Sequence, residues 1–284
     1  MKISLIGSGS WATAIERVIR NHGIDIYWWK RRDGRPITEA ISNSNDILLA
    51  VPSPFLHSLL KDLPANAFDG KNIISAIKGY IPETHQPVST YLKEHFHITD
   101  DRLCVIGGPS HAEEVEQNQM AALTVASSNR ELAKKVCSML RSNVMRCTPS
   151  SDVHRLERVA TLKNIYAVAV GICRGIGGGD NCTGMLVSSI LREVSRAMKT
   201  DENAIADLLA TCYSEHSRNL TLGRMIGQGV DVQTALEQMP MIPEGYYAAQ
   251  SFEQLREGAK LPIAQTVCDI LLGGSPTDQI LSFE

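Results

Sequence analysis

The sequence has 284 residues, room for one large domain or two of ordinary size, and its 43% hydrophobic and 21% charged content is that of a globular protein with a substantial core. A net charge of −3 gives no electrostatic pull toward nucleic acid, and no apolar run approaches the roughly 20 residues that span a bilayer, so neither nucleic-acid binding nor membrane insertion is expected. The seven cysteines, at 104, 137, 147, 173, 182, 212 and 268, show no CxxC pair and no zinc-type Cys/His spacing, and they read as reduced thiols of a cytoplasmic protein without a metal site. A strand that starts at Met1 leaves no room for a signal peptide.

The predicted elements open with a short β-type run, Ile3 to Ile6, and a glycine turn. An amphipathic stretch follows, with Trp11, Ala14, Ile15, Val18 and Ile19 on one helical face and Gly23 closing it. Further apolar runs lie at 24–29, 45–52, 71–79, 103–109, 121–127 and 143–147, with a helical stretch at 129–141. Most of these runs are continuous rather than alternating, as buried parallel strands are. The alternation predicts a doubly wound α/β sheet of the Rossmann type over 1–150, with its ligand beyond the carboxyl ends of the strands.

The first turn reads Gly7-Ser8-Gly9-Ser10-Trp11-Ala12, a GxGxxA pattern. Gly7 permits the tight turn, Gly9 lets backbone approach a pyrophosphate, and the small Ala12 lets the helix pack on its strand. The helix N-terminus then offers N–H groups and positive dipole to phosphates, so a dinucleotide is placed ahead of a bare structural turn. At the end of the second run, where an NAD site carries an acid for the ribose hydroxyls, the sequence reads Lys30-Arg31-Arg32-Asp33. A guanidinium there can pair with a 2′-phosphate or stack on adenine; the plain alternative is a solvated basic turn. NADP is accordingly placed slightly ahead of NAD.

Beyond about residue 150 the strand signal ends, and 151–284 reads as an all-helical domain, with a cleft expected between the two. A long helix, with Ser151 as its N-cap, carries Glu157, Ala160 and Asn164 at i, i+3 and i+7 and becomes apolar on every side from Ile165 to Cys173. Lys163 and Asn164 stand just before that apolar stretch. More helices are predicted at 183–199 and 201–216 and in pieces beyond Val230 and Ser251. Asp207, Thr211 and Arg218 fall at i, i+4 and i+11, close to three helical turns, which would put them on one face. Taken singly, each is as well read as part of a solvated surface, and Lys163 as a helix lysine reaching toward water.

Together these residues carry a resemblance. Gly7-Ser8-Gly9-Ser10-Trp11-Ala12-Thr13-Ala14, IKG at 77–79, GGPSHAEEV at 107–115, LKN at 162–164, SRN at 217–219 and PEGYYA at 243–248 stand in the order found in the NAD(P)-dependent glycerol-3-phosphate dehydrogenases, which the chain resembles over nearly its whole length. Those enzymes interconvert dihydroxyacetone phosphate and sn-glycerol 3-phosphate. The resemblance implies that Lys163 transfers the proton and that Asp207 stands near it. It implies that Lys78 reaches substrate and cofactor from the end of its strand, beside the loop of Gly108, Ser110 and Ala112. Ser217, Arg218 and Asn219 match the substrate group, with Arg218 on the phosphate, and Asn164 and Thr211 are carried with them. Gly7, Gly9, Ser10, Trp11, Ala12, Arg31, Arg32, Arg218 and Glu244 match cofactor positions. A homodimer and a supply of glycerol 3-phosphate for phospholipid synthesis are implied in the same way.

Elementary chemistry suits these roles. Reduction of a ketone develops an alkoxide, which needs a proton and nearby positive charge, and a lysine at the mouth of an apolar helix offers both. A planar guanidinium suits a phosphate because it donates two hydrogen bonds at once. Asn164 could equally orient substrate hydroxyls, cap, or bond between helices. Three departures from the family stand out: Ala12 where glycine is usual, His111 where phenylalanine is usual, and only 13 residues between Arg32 and Asp46, where relatives carry a much longer segment beside the adenosine. The competing readings are a dehydrogenase of another small hydroxy acid or phosphorylated polyol, and a non-catalytic NADPH-binding sensor.

Overall fold

A computed structural model describes residues 1–282. Chain contacts divide it into Met1–Glu157 and Arg158–Glu284, where the sequence reading divides it at 150/151. The first unit alternates β1 (Lys2–Ile6), α1 (Ser10–Asn21), β2 (Asp25–Trp29), α2 (Ile37–Asn43), β3 (Asp46–Leu49), α3 (Ser53–Leu60), β4 (Asn72–Ser75), α4 (Val88–Phe96), β5 (Leu103–Gly107), α5 (Ala112–Glu116), β6 (Ala121–Ala126), α6 (Arg130–Leu140) and β7 (Met145–Ser150). All seven predicted strands form, in one sheet of order β2-β1-β3-β4-β5-β6-β7.

Side chains alternate between the two faces of this sheet. Ile3 and Leu5 of β1 join a core beneath α1, α5 and α6, while Ile6, Ile47 and Leu49 join a second core with α2, α3 and α4. Helices therefore cover both faces, which is the doubly wound Rossmann-type arrangement. The usual dinucleotide-fold order 3-2-1-4-5-6 lacks its outermost strand here, because the short segment after Arg32 holds only a 3₁₀ turn and α2. β2 is therefore an edge.

One strand pair departs from the parallel expectation. β5 and β6 are antiparallel, because the chain turns back directly after Gly107. Gly108 has φ 131°, the Ala122 amide donates to the Pro109 carbonyl at 3.1 Å, and a single short helix fills the remaining connection. β7 then runs parallel to β6 and carries Pro149, tolerable because β7 is the other edge.

The division of the chain falls inside α7 (Val153–Gly175), which begins one residue later than Ser151 as N-cap would start it. Asp152 rather than Ser151 makes the cap: its carboxylate accepts from the Arg155 amide at 3.1 Å, being placed by the Ser150 hydroxyl. The second unit continues with α8 (Asp180–Ala197), α9 (Glu202–Tyr213), α10 (Arg218–Gly227), α11 (Val232–Gln238), α12 (Glu244–Gln250), α13 (Phe252–Arg256) and α14 (Pro262–Gly273). Among the described residues, no helix is long and apolar enough to cross a membrane.

α7 is buried on all sides from Ile165 to Cys173, so every neighbour must fit it closely. The tightest approach is to α10. A Cβ built on Gly171 would lie 2.3 Å from the Leu220 carbonyl oxygen, and one on Gly223 would lie 2.2 Å from that of Val168. One turn further, Gly175 and Gly227 face each other in the same way. Two GxxxG patterns thus cross backbone to backbone. Glu193 on α8 accepts from the Ile263 and Ala264 amides at 2.9 and 3.2 Å and from the Tyr166 hydroxyl at 2.9 Å, capping α14. Burial still pushes the Glu193 carboxyl up. Arg158 serves the opposite helix end, donating to the Leu255 and Arg256 carbonyls of α13 at 2.8 and 2.6 Å.

Gly223→Ala places a methyl group inside the contact distance of the α7 backbone. Overpacking of this kind costs about 1–3 kcal/mol, so urea unfolding should show a lowered midpoint; an unchanged midpoint would mean the helices do not approach this closely.

Candidate active site

In the first unit the candidate residues gather at the carboxyl ends of β1, β4 and β5. Gly7 has φ 140°, and a Cβ there would lie 2.2 Å from the Ala50 carbonyl oxygen, so no other residue fits. Gly9 is the opposite case: nothing lies within 4 Å of its missing Cβ, which leaves the turn open on the side a pyrophosphate would take. α1 starts at Ser10 without a side-chain cap and without an acid in its first turn, so its N-terminal dipole faces outward uncompensated. Ala12, in the first turn of α1, is fully buried. These features fit a dinucleotide.

The turn is anchored to β2. The Gly7 amide donates to the Trp29 carbonyl at 3.2 Å, and the Trp28 indole donates to the Gly7 carbonyl at 2.7 Å. Trp28 was not singled out from sequence, although a tryptophan pair ending a strand beside the glycine turn was visible there. The Lys30 ammonium lies 3.5 Å over the Trp28 ring. Arg31 and Arg32 are exposed in the 3₁₀ turn Arg31–Asp33. The one acid of that turn, Asp33, is engaged by Arg35 at 3.2 Å.

Lys78 joins three chain segments. Its ammonium donates to the Gly108 carbonyl at 3.1 Å and to the Ser110 hydroxyl at 3.0 Å, and lies 5.2 Å over the ring of Trp11. The indole N–H of Trp11 is buried without a hydrogen-bond partner. Ala112 opens α5 and is buried next to this loop, with half-buried His111 as the residue before it.

In the second unit, Lys163 on α7 and Asp207 on α9 form an ion pair, each side chain only 5% exposed. A charge pair so fully removed from water is worth little to stability unless it is well satisfied. Thr211, one turn along α9, donates to the Asp207 carbonyl at 2.6 Å. The expectation that Asp207, Thr211 and Arg218 share one helical face does not hold. α9 ends at Tyr213, and Ser217 caps a new helix by accepting from the Leu220 amide at 3.3 Å, so Arg218 is the first residue of α10. Cationic Arg218 at a helix N-terminus with no acid in its first turn makes a place suited to a phosphate.

Asn164 and Asn219 bond between helices. The Asn219 amide donates to the Asn164 side-chain oxygen at 2.9 Å, and its own oxygen accepts from the Gly245 amide at 2.8 Å. Gly245 follows Glu244 at the start of α12 and approaches the Asn164 carbonyl so closely that a Cβ would lie 2.7 Å away. Sequence alone reads Gly175 as the start of a glycine-rich loop to Gly179, whereas it is the last residue of α7; the spacing of Gly171 with Gly175 and of Gly223 with Gly227 is the signal for the crossing.

Two family models match the chain: the N-terminal part of NAD-dependent glycerol-3-phosphate dehydrogenase over residues 34–133, and its C-terminal part over residues 152–282. A glycerol-3-phosphate dehydrogenase [NAD(P)+] of Bacillus cereus is 30% identical, covering 96% of this chain and 92% of its own length. One of Clostridium perfringens is 28% identical over 319 residues, more than this chain possesses, so the relative carries residues with no counterpart here. The fold matches that of the glycerol-3-phosphate dehydrogenase of Coxiella burnetii with a TM-score of 0.87 at 23% identity, over 99% of this chain and 97% of that one. With two matching models in chain order and a relative of that identity along nearly its whole length, the chain belongs to the NAD(P)-dependent glycerol-3-phosphate dehydrogenase family.

Proposed function

We propose that this protein reduces dihydroxyacetone phosphate with NADPH or NADH to sn-glycerol 3-phosphate, and runs the reverse reaction. The observation that carries the reading is the buried Lys163–Asp207 pair on helices whose neighbour, α10, presents Arg218 at its N-terminus. Gly7, Gly9, Ser10, Trp11 and Ala12 would hold the dinucleotide, with Arg31 and Arg32 toward its adenosine end and Lys78, Ala112, Arg218 and Glu244 as further contacts. The cofactor, when bound, supplies the hydride that reduces the ketone carbon.

The residues of the chain do the rest. Lys163 gives its proton to the ketone oxygen as negative charge develops there and takes it back in the reverse direction. Asp207 fixes the direction of the ammonium. Arg218 and the α10 dipole bind the phosphate, with Ser217, Asn219, Asn164 and Thr211 as the other substrate residues of the second unit. In the first unit, Lys78, Gly108 and Ser110 are assigned to substrate on the family resemblance. A division of labour between a dinucleotide-binding part, 1–150, and a substrate part, 151–284, goes with this reading, as do a homodimer and a cytoplasmic location on grounds of family. NADP is placed ahead of NAD because Arg31 and Arg32 follow β2 and the acid of their own turn, Asp33, is held by Arg35.

The test is loss of absorbance at 340 nm with dihydroxyacetone phosphate, in parallel with NADH and NADPH. Oxidation of either supports the reading, and faster oxidation of NADPH supports the preference; a folded sample that binds dinucleotide but oxidises neither would overturn it. Lys163→Ala should lower kcat by about 10²–10⁴-fold while NADPH binding, measured on the same sample, stays within a few-fold. Arg218→Ala removes a charged hydrogen-bond donor and should raise KM for dihydroxyacetone phosphate by about 10- to 100-fold. Trp28→Phe deletes one hydrogen bond to the glycine turn and should weaken NADPH binding by about fivefold, read by titration; undiminished affinity would show that the turn does not depend on that bond.

A further inference from the structure

The seven thiols are all free, and two of them touch. Cys173, in the last turn of α7, and Cys182, in the first turn of α8, have their sulfur atoms 3.5 Å apart. We propose that Cys173 and Cys182 form a reversible disulfide, making this pair an oxidation site independent of the reductase chemistry.

Three features favour the step. The sulfurs need to approach by only about 1.5 Å to reach bonding distance, and the chain between the cysteines contains the turn Gly177–Gly179, whose Gly177 sits at φ 90°. The two thiols differ in access: Cys173 is wholly buried, while Cys182 is half-buried. Cys173 is held back further. Burial pushes the Cys173 thiol up to about 11. Gly178 covers that sulfur: a Cβ on Gly178 would lie 2.6 Å from it. Oxidant therefore meets Cys182 first.

With a disulfide oxidant such as oxidised glutathione, the Cys182 thiolate attacks one sulfur of the oxidant, its S–S bond breaks, and one glutathione thiolate leaves. Cys173 then loses its proton and attacks the Cys182 sulfur of the mixed disulfide, releasing the second glutathione. The protein loses two hydrogens, and the oxidant gains them as two glutathione thiols.

The experiment incubates the full chain in glutathione buffers of graded redox ratio, traps thiols with an alkylating agent, and reads intact mass and peptide maps. The expected result is a species lighter by two hydrogens, with two of the seven thiols protected and the cross-link mapped to Cys173 and Cys182. Dithiothreitol should restore all seven. Cys182→Ser should remove the cross-link, and Cys173→Ser should leave glutathione attached to Cys182. A stable glutathione adduct on Cys182 in the unsubstituted protein, a cross-link between other cysteines, or seven reactive thiols throughout would each overturn the proposal.

Discussion

The second unit depends on one constraint: the backbones of α7 and α10 touch. Without side chains at Gly171, Gly175, Gly223 and Gly227, the two helices come close enough that α10 carries Asn219 into hydrogen-bond reach of Asn164. That bond fixes register along the crossing, because sliding either helix by a turn would separate the amides. Since Lys163 precedes Asn164 and Arg218 precedes Asn219, the same bond fixes where both cations stand on their helices. Packing and site geometry here are one interaction.

The first unit solves a different problem, which is to hold a loop open. Gly7 is forced against Ala50, Trp28 and Trp29 take the turn from the side, and Lys78 draws together the segments after β4 and β5. What remains unfilled is the space beside Gly9. A rigid frame around an empty approach is what binding an extended phosphate ligand requires, since ordering the loop at the moment of binding would cost affinity.

Much of this was legible in the chain. Continuous apolar runs give the inner strands, β1 and β3 to β6, because a strand buried on both faces has no polar side to show, and the glycine turn is legible because only glycine tolerates φ near 140°. Lys163 and Asp207 could be matched by resemblance, but their pairing joins residues 44 apart in sequence, and no local pattern encodes that. The break between Asp207 and Arg218 was misread because Ser-Glu-His-Ser lacks glycine or proline; the helix stops there through the Ser217 cap, a weak signal beside the surrounding periodicity. The turn of β6 against β5 was hidden for a similar reason: apolar runs show strands, not their direction.

The shortened segment after β2 has a consequence for how molecules of this protein meet one another. A sheet that ends in an aromatic strand offers its outer row of amides and carbonyls to any passing strand, a route to unwanted association. The Trp29 carbonyl turns inward to Gly7, so by the alternation of the ladder the Trp28 carbonyl turns outward. Arg35 occupies it: its guanidinium donates to the Trp28 carbonyl at 3.1 Å and to the Tyr27 hydroxyl at 2.9 Å, while its own carbonyl accepts from the Trp29 indole at 2.8 Å. One arginine folded back on the strand takes the bond a neighbouring strand would need and sets a charge in that strand's path. It replaces, as a stopper, the strand that the chain no longer has.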